Sequence, residues 1–409
     1  MLHGLRRPAD RTDALGRAPD AGLLAGDGGR APATGSRRVL GPAAWLAAML
    51  CVAAIGAAST AAAARRPGTR VTVAVFGDSV TESLLVRNFL TEGLVPQLSR
   101  AVTSLGFAAG GIGLIPAATF RWHFNAWAAL GTGPIPKNGW ATVGYGATPG
   151  YDGPSGYSAL ASSPLASATA AVSDPDLEIL YTSTNVPCSF TVSAAGRTWT
   201  IDTFHPGPAI DTESPLELPV GRHELTIHGP NCGALSFDGI VAERPVPPGQ
   251  VQVEVDGLGH TGEFPSLHFA PRVQQSLIDQ RYDISVFLYG YIGEAVGGPA
   301  VSALYLKAMI ARTRIAREHG GACLIVEPTP IAVPRSAVSL VSRLDRTAAR
   351  REGCRYTTVL GNLWSNAATA VRRGLLLVDG IHPTAAGDKL IAHALAPVVA
   401  QMVRAHLRH

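Results

Sequence analysis

Apolar and polar positions fall into different registers along this chain. Val71-Thr-Val-Ala-Val-Phe76 is a continuous β-branched run, which predicts a buried parallel strand. Gly77-Asp78-Ser79 follows, and then Leu85, Phe89, Leu94 and Leu98 at roughly helical spacing, which predicts a helix from about Glu82 to Leu105. Later apolar runs predict strands over Val251–Val255, Ile284–Tyr289, Cys323–Glu327 and Tyr356–Leu360. Val301–His319 carries Leu304, Leu306, Met309 and Ile310 ahead of Gly320-Gly321, which predicts a helix with a glycine cap at its end. Ser336–Arg351 and Ala385–Leu407 also read as helices. Strands alternating with helices predict an α/β domain whose parallel sheet is covered on both faces.

The stretch between the first helix and Val251 breaks this rhythm. Residues 106–160 are dense in Gly, Pro, Trp and Tyr and read as long ordered loops. From Asp176 to about Arg244 the pattern is one of short strands: Leu177–Thr184, Ser189–Ser193, Thr198–Thr203, Leu216–Pro219, His223–His228 and Ala234–Val241. Turn residues separate them, as in a β-sandwich. The expected organisation is therefore an α/β domain over 67–160 and 245–409, interrupted by an all-β sandwich over 165–244. No internal repeat is visible.

The N-terminus is different again. Residues 1–38 are rich in Gly, Ala, Pro, Arg and Asp with no apolar period, the pattern of a disordered tail. Residues 39–64 are uncharged and rich in Ala, Val and Leu, long enough for a bilayer, which needs about 20 residues. Ala61-Ala62-Ala63-Ala64 suits signal-peptide cleavage. The long preceding tail favours an uncleaved anchor. A buried Ala-rich helix is the third reading. Either of the first two places the chain from about 67 onward outside the cytoplasm, secreted or anchored to the outer face of the membrane through 39–64. Cys51 lies in the apolar run, leaving Cys188, Cys232, Cys323 and Cys354. Four cysteines allow three pairings, and domain membership favours Cys188–Cys232 and Cys323–Cys354. The formal net charge is only +4. Much of the excess sits in the tail, so nucleic acid is not an expected partner.

Two short segments carry candidate chemistry. Ser79 ends the first strand, and open α/β sheets place their sites at that edge. A following helix would add unpaired N–H groups suited to an oxyanion. Ser79 would equally serve as an N-cap. Asp379-Gly380-Ile381-His382-Pro383 precedes the last helix. An imidazole can take a serine proton and return it, and a carboxylate three residues earlier can orient the ring. The order Ser, Asp, His is that of hydrolases built on parallel sheets. A Gly-x-Ser-x-Gly elbow is absent. His123 and His205 have no partners at metal spacing, and there is neither a zinc motif nor a phosphate loop, so no metal or cofactor is expected.

Gly-Asp-Ser after the first strand, with Asp-Gly-Ile-His-Pro near the C-terminus, resembles the SGNH hydrolase superfamily, or GDSL-type esterases. The resemblance covers about 71–115 and 250–405. It implies a flavodoxin-like three-layer α/β fold and a triad of Ser79, Asp379 and His382. It also implies an oxyanion hole from the Ser79 N–H and a glycine after the second strand. In Gly257-Leu-Gly259-His-Thr-Gly262 the best match is Gly262, with Gly259 the alternative. The family's third block, Gly-x-Asn-Asp or Gly-x-Asn-Glu, is here Gly290-Tyr291-Ile292-Gly293-Glu294. Ile292 cannot donate from its side chain, so either another group such as a backbone N–H near Gly290 fills in or the reaction is not simple hydrolysis. Leu218–His228 and Ser236–Val241 resemble a jelly-roll carbohydrate-binding module. The combination is similar to bacterial peptidoglycan O-acetylesterases, in which such a module interrupts the hydrolase domain. Gly106–Ile115 resembles their Gly-rich segment. Trp122, Phe124, Trp127, Trp140, Tyr145, Tyr151 and Tyr157 could line a sugar cleft or pack the loops. The resemblance implies an exported serine esterase removing O-acyl groups, O-acetyl above all, from a cell-envelope polysaccharide. An acyltransferase with the same triad and a catalytically weak glycan-binding protein are the alternatives.

Overall fold

The computed structural model describes residues 68–83, 85–86, 89–117, 140–144, 157–206, 211–259, 281–289 and 298–408. The tail 1–38, the apolar run 39–64 and Gly262 and Gly290 lie outside them. So do His123, Trp122, Phe124, Trp127, Tyr145, Tyr151 and the side chains of Trp140 and Tyr157.

A six-stranded parallel sheet forms the centre. Its strands are β1 (Thr69–Gly77), β2 (Ala108–Ala109), β13 (Val251–Gly259), β14 (Ile284–Leu288), β15 (Ala322–Val326) and β16 (Arg355–Thr357), in the order β16-β15-β14-β1-β13-β2. β1 lies between β13 and β14 and pairs with both in parallel. Strand alternation sorts the side chains to two faces. Val71, Val73 and Val75 join Val253, Val255, Val286 and Leu288 in one core. Helices α2 (Leu94–Thr103), α5 (Ala367–Arg372) and α6 (Ala385–His406) close that face. Ala74 and Phe76 point the other way, with Phe287 and Ile325, against α3 (Gly298–Glu318) and α4 (Arg335–Glu352). This is the three-layer α/β arrangement expected from the alternating pattern. The glycine cap is also present: Gly321 N–H returns to the Ala316 carbonyl at 3.1 Å, and Gly320 has φ 80°. One detail differs. Leu304 is 47% exposed, and the buried stripe of α3 runs through Tyr305, Met309 and Ala316 instead.

Two antiparallel sheets make up the rest. One has the order β10-β7-β12-β5-β4, with β3 also on β12; the other is β6-β11-β8-β9. The first is built from β3 (Gly113–Pro116), β4 (Trp140–Gly144), β5 (Tyr157–Ala161), β7 (Asp176–Thr182), β10 (Asp211–Glu217) and β12 (Leu235–Glu243). The second contains β6 (Ser167–Val172), β8 (Ser189–Ala194), β9 (Arg197–Asp202) and β11 (His223–His228). Ile179, Phe237 and Ile240 of the first meet Phe190, Val192, Leu225 and Ile227 of the second in one core, which makes a sandwich. Strands β3, β4 and β5 come from 106–161, where the Gly- and aromatic-rich composition reads as loop. The sheets therefore use strands from outside 165–244 as well. Cys188–Cys232 and Cys323–Cys354 are both disulfide-bonded.

Candidate active site

The Ser79 turn forms where β1 ends between the ends of β13 and β14, the point at which the strand order reverses. Ligands of open α/β folds gather at such a point. Two glycines admit the turn. A Cβ on Gly77 would stand 1.9 Å from Thr81 Oγ1 and 2.6 Å from the Leu288 carbonyl oxygen. One on Gly259 would stand 2.5 Å from the Glu82 nitrogen. Gly259, the alternative oxyanion residue, thus packs beneath the serine turn. Within the turn, Asp78 Oδ1 accepts the Val80 N–H at 3.0 Å, and the Asp78 carbonyl accepts the Glu82 N–H at 3.0 Å. The Ser79 N–H meets no acceptor among the described residues.

The helix expected from Glu82 does not form there. Ser83 takes a left-handed backbone, φ 56°, which a helix cannot continue. The chain turns, forms α1 (Phe89–Glu92) and only then enters α2. Ser79 is therefore not the N-cap of a long helix. Its Oγ lies 3.0 Å from His382 Nε2 instead.

His382 is presented by a tight turn ahead of α6. Gly380 adopts φ 67°. Asp379 Oδ1 accepts the Ile381 and His382 N–H groups at 2.8 and 3.1 Å, and Oδ2 accepts His382 Nδ1–H at 2.8 Å. Burial by itself would raise the Asp379 carboxyl. The His382 ring and those two amides outweigh it and hold the carboxyl below its usual value. With Nδ1 donating to Asp379, Nε2 is left as an acceptor aimed at the Ser79 hydroxyl. The Leu377 N–H donates to the His382 carbonyl at 2.9 Å, and the Ala332 N–H to the Gly380 carbonyl at 2.9 Å, so the turn is fixed at its back. Ser79 is 7% exposed, and the His382 and Asp379 side chains are 17% and 37% exposed. The hydroxyl is thus shielded while the relay behind it opens toward solvent.

The structure brings Ser79, Asp379 and His382 together from positions 303 residues apart at the extremes. Two further groups at this junction had no sequence signal: Ser83, and Asp388 in the first turn of α6, which reads as an ordinary helix-dipole acid. Among the described residues no cluster of His, Cys, Asp or Glu is arranged to hold a metal ion.

No protein-family model and no curated protein sequence matches the chain. Solved structures do. A peptidoglycan O-acetylesterase superposes with TM-score 0.63 at 19% identity, covering 82% of this chain and 92% of that one. A family two carbohydrate esterase from Cellvibrio japonicus matches at TM-score 0.27 and 12% identity over 65% of this chain and 98% of its own. TesA matches at TM-score 0.30 and 19% identity over 37% and 79%. The first likeness shows a shared fold, the flavodoxin-like three-layer fold with added antiparallel sheets that the sequence motifs implied.

Proposed function

We propose that this protein is a serine ester hydrolase that removes O-acyl groups, O-acetyl above all, from a cell-envelope polysaccharide. The observation that carries the reading is the unbroken relay from Asp379 Oδ2 to His382 Nδ1 at 2.8 Å and from His382 Nε2 to Ser79 Oγ at 3.0 Å, set at the switch point of the sheet. Ser79 Oγ attacks the ester carbonyl as its proton passes to Nε2. Asp379, held ionised, stabilises the imidazolium. The free Ser79 N–H faces the developing oxyanion, with the backbone N–H groups of Gly262 and Gly290 as the expected partners. Nε2 then protonates the departing sugar oxygen, leaving an acyl-serine. Water, deprotonated by the same nitrogen, releases the acid and restores the hydroxyl.

The substrate class rests on the fold shared with a peptidoglycan O-acetylesterase and on the resemblance of the sandwich sequence to carbohydrate-binding modules. Export is supported by the apolar run 39–64 and by two disulfides, which persist in oxidising compartments. Membrane anchoring depends on 39–64 alone, since no helix among the described residues is long and apolar enough to cross a membrane. The test is release of acetate from O-acetylated envelope glycan, compared with the same glycan after mild de-acetylation. The reading requires acetate release that is lost in Ser79→Ala. Release by Ser79→Ala equal to wild type contradicts it.

A second reading is favoured by Ile292, which stands where a side-chain oxyanion donor is expected. An acyltransferase would pass the same acyl group to a sugar hydroxyl in place of water. Soluble glycan acceptors would then raise the rate of deacylation, whereas a hydrolase is indifferent to them.

A further inference from the structure

Asp388 is wholly buried, six residues past His382 in α6. Its carboxyl faces the Ser83 hydroxyl and the Leu94 N–H, and neither oxygen closes a well-formed hydrogen bond. Ser83 lies four residues past Ser79. Its Oγ accepts the Leu94 N–H at 2.7 Å, which leaves its own proton available to Asp388. The surrounding backbone is shaped to permit this approach. Ser83 is left-handed, with φ 56°. A Cβ on Gly93 would crowd Ser83 Oγ at 2.9 Å. An acid in the first turn of a helix gains from the dipole while exposed. Burying one instead is costly, so its place here calls for a role.

The serine segment and the histidine segment thus meet twice, through Oγ and Nε2 and through Ser83 and Asp388. We infer that Asp388 is a positioning residue for the relay, fixing the segment that carries His382 against the turn that carries Ser79. This rests on the hydrolase reading above. Burial pushes the Asp388 carboxyl up to about 8, while Ser83 and Leu94 pull the other way. No charge contributes to that shift. Glu92 on α1, Arg100 on α2 and Lys389 on its own helix are exposed, and Glu82 and His382 are only half-buried. At neutral pH Asp388 is therefore the uncharged acid. Because its folded value is raised, the contact is intact below that value and is lost as pH rises through about 8.

Three forms decide the matter: wild type, Asp388→Asn and Asp388→Ala. The readouts are steady-state kinetics on an activated acetate ester and the His382 imidazole NMR resonance, both from pH 6 to 9.5. Wild type should lose kcat above about pH 8, with a matching step in the resonance. The Asn variant, neutral throughout, should keep kcat at pH 7 within about threefold and show neither change. The Ala variant should lose about 10–100-fold in kcat at pH 7 with KM within about threefold, as for misplaced rather than missing catalytic groups. A folded Ala variant with wild-type kcat, or an Asn variant that retains the step, overturns the inference. If the Ala variant does not fold, the Asn profile decides. If wild type hydrolyses no ester, the hydrolase reading falls and the resonance decides alone: a step lost in the Asn variant upholds the positioning role, and no step in wild type ends it.

Discussion

A serine hydroxyl is a weak nucleophile until its proton has somewhere to go, and in the proposed reaction Ser79 passes it to His382 Nε2, 3.0 Å away. Asp379 decides which ring nitrogen is left to accept. Replacing it by Asn keeps the shape of the turn but allows the wrong tautomer. Asp379→Asn should therefore lower kcat by on the order of 10³–10⁴ with little change in KM, as read from steady-state kinetics. A loss below about tenfold would mean that Asp379 does not orient the ring. Because this carboxyl is held below its usual value, it stays ionised as pH falls through the normal carboxylate range. Gly77 gives a separate test, of space alone. Gly77→Ala would drive a methyl to 1.9 Å from Thr81 Oγ1, with the Leu288 carbonyl behind it. It should destabilise the fold by about 1–3 kcal/mol and reduce kcat by displacing Ser79, while an unchanged melting temperature would show that the turn can relax.

Elements were legible where burial on both sides forced a continuous apolar run. The predicted Val71–Phe76, Val251–Val255 and Ile284–Tyr289 correspond to β1, β13 and β14, and the helices predicted over Val301–His319, Ser336–Arg351 and Ala385–Leu407 also stand near their expected bounds. Legibility failed where one residue overrode the pattern. The spacing of Leu85, Phe89, Leu94 and Leu98 is helical, yet Ser83 turns left-handed ahead of it, and helix begins only at Phe89, with the longer run from Leu94. Gly113–Pro116 and Tyr157–Ala161 form strands despite glycine, proline and small residues, because β12 offers both an antiparallel partner. The relay was legible for a different reason. Its three residues lie in two compact motifs, whereas Ser83 and Asp388 acquire their meaning only from burial against each other. Cys188–Cys232 ties the start of β8 to the segment before β12, across a separation of 44 residues. Replacing both cysteines by alanine should cost about 2–4 kcal/mol, seen as a lower denaturation midpoint with the kinetics of the Ser79 site retained. Unaltered stability would show that the sandwich does not depend on this crosslink.

Across the whole molecule, the parallel sheet and the antiparallel sheet carrying β7 and β12 meet over a partly buried charged seam. Arg70 pairs with Glu243, and Arg281 pairs with Glu178 and with Glu243 at 3.3 Å. Tyr282 donates to Asp256 at 2.7 Å. Glu254 fares worse. Arg70 Nε stands 3.9 Å off, and neither carboxyl oxygen has a hydrogen bond. Burial first, then the neighbouring Asp256, raises Glu254 to about 8, against the pull of Arg281 and Arg70. A raised folded value means stability that is present in the protonated form and declines as pH rises through that value. The melting temperature should therefore fall as pH rises from about 4.5 to about 8 and level off above that, and Glu254→Gln should flatten that slope; an equal slope in the variant would remove Glu254 as its source. Such a seam joins the two sheets and has no part in the chemistry proposed for Ser79. The most direct test of that chemistry is the mass of the intact protein, quenched during reaction with an activated acetate ester. The account predicts an acetyl adduct on Ser79 that forms and decays with turnover in wild type and is absent from Ser79→Ala. Turnover of the ester by wild type with no adduct on Ser79, or with equal turnover in Ser79→Ala, would contradict it.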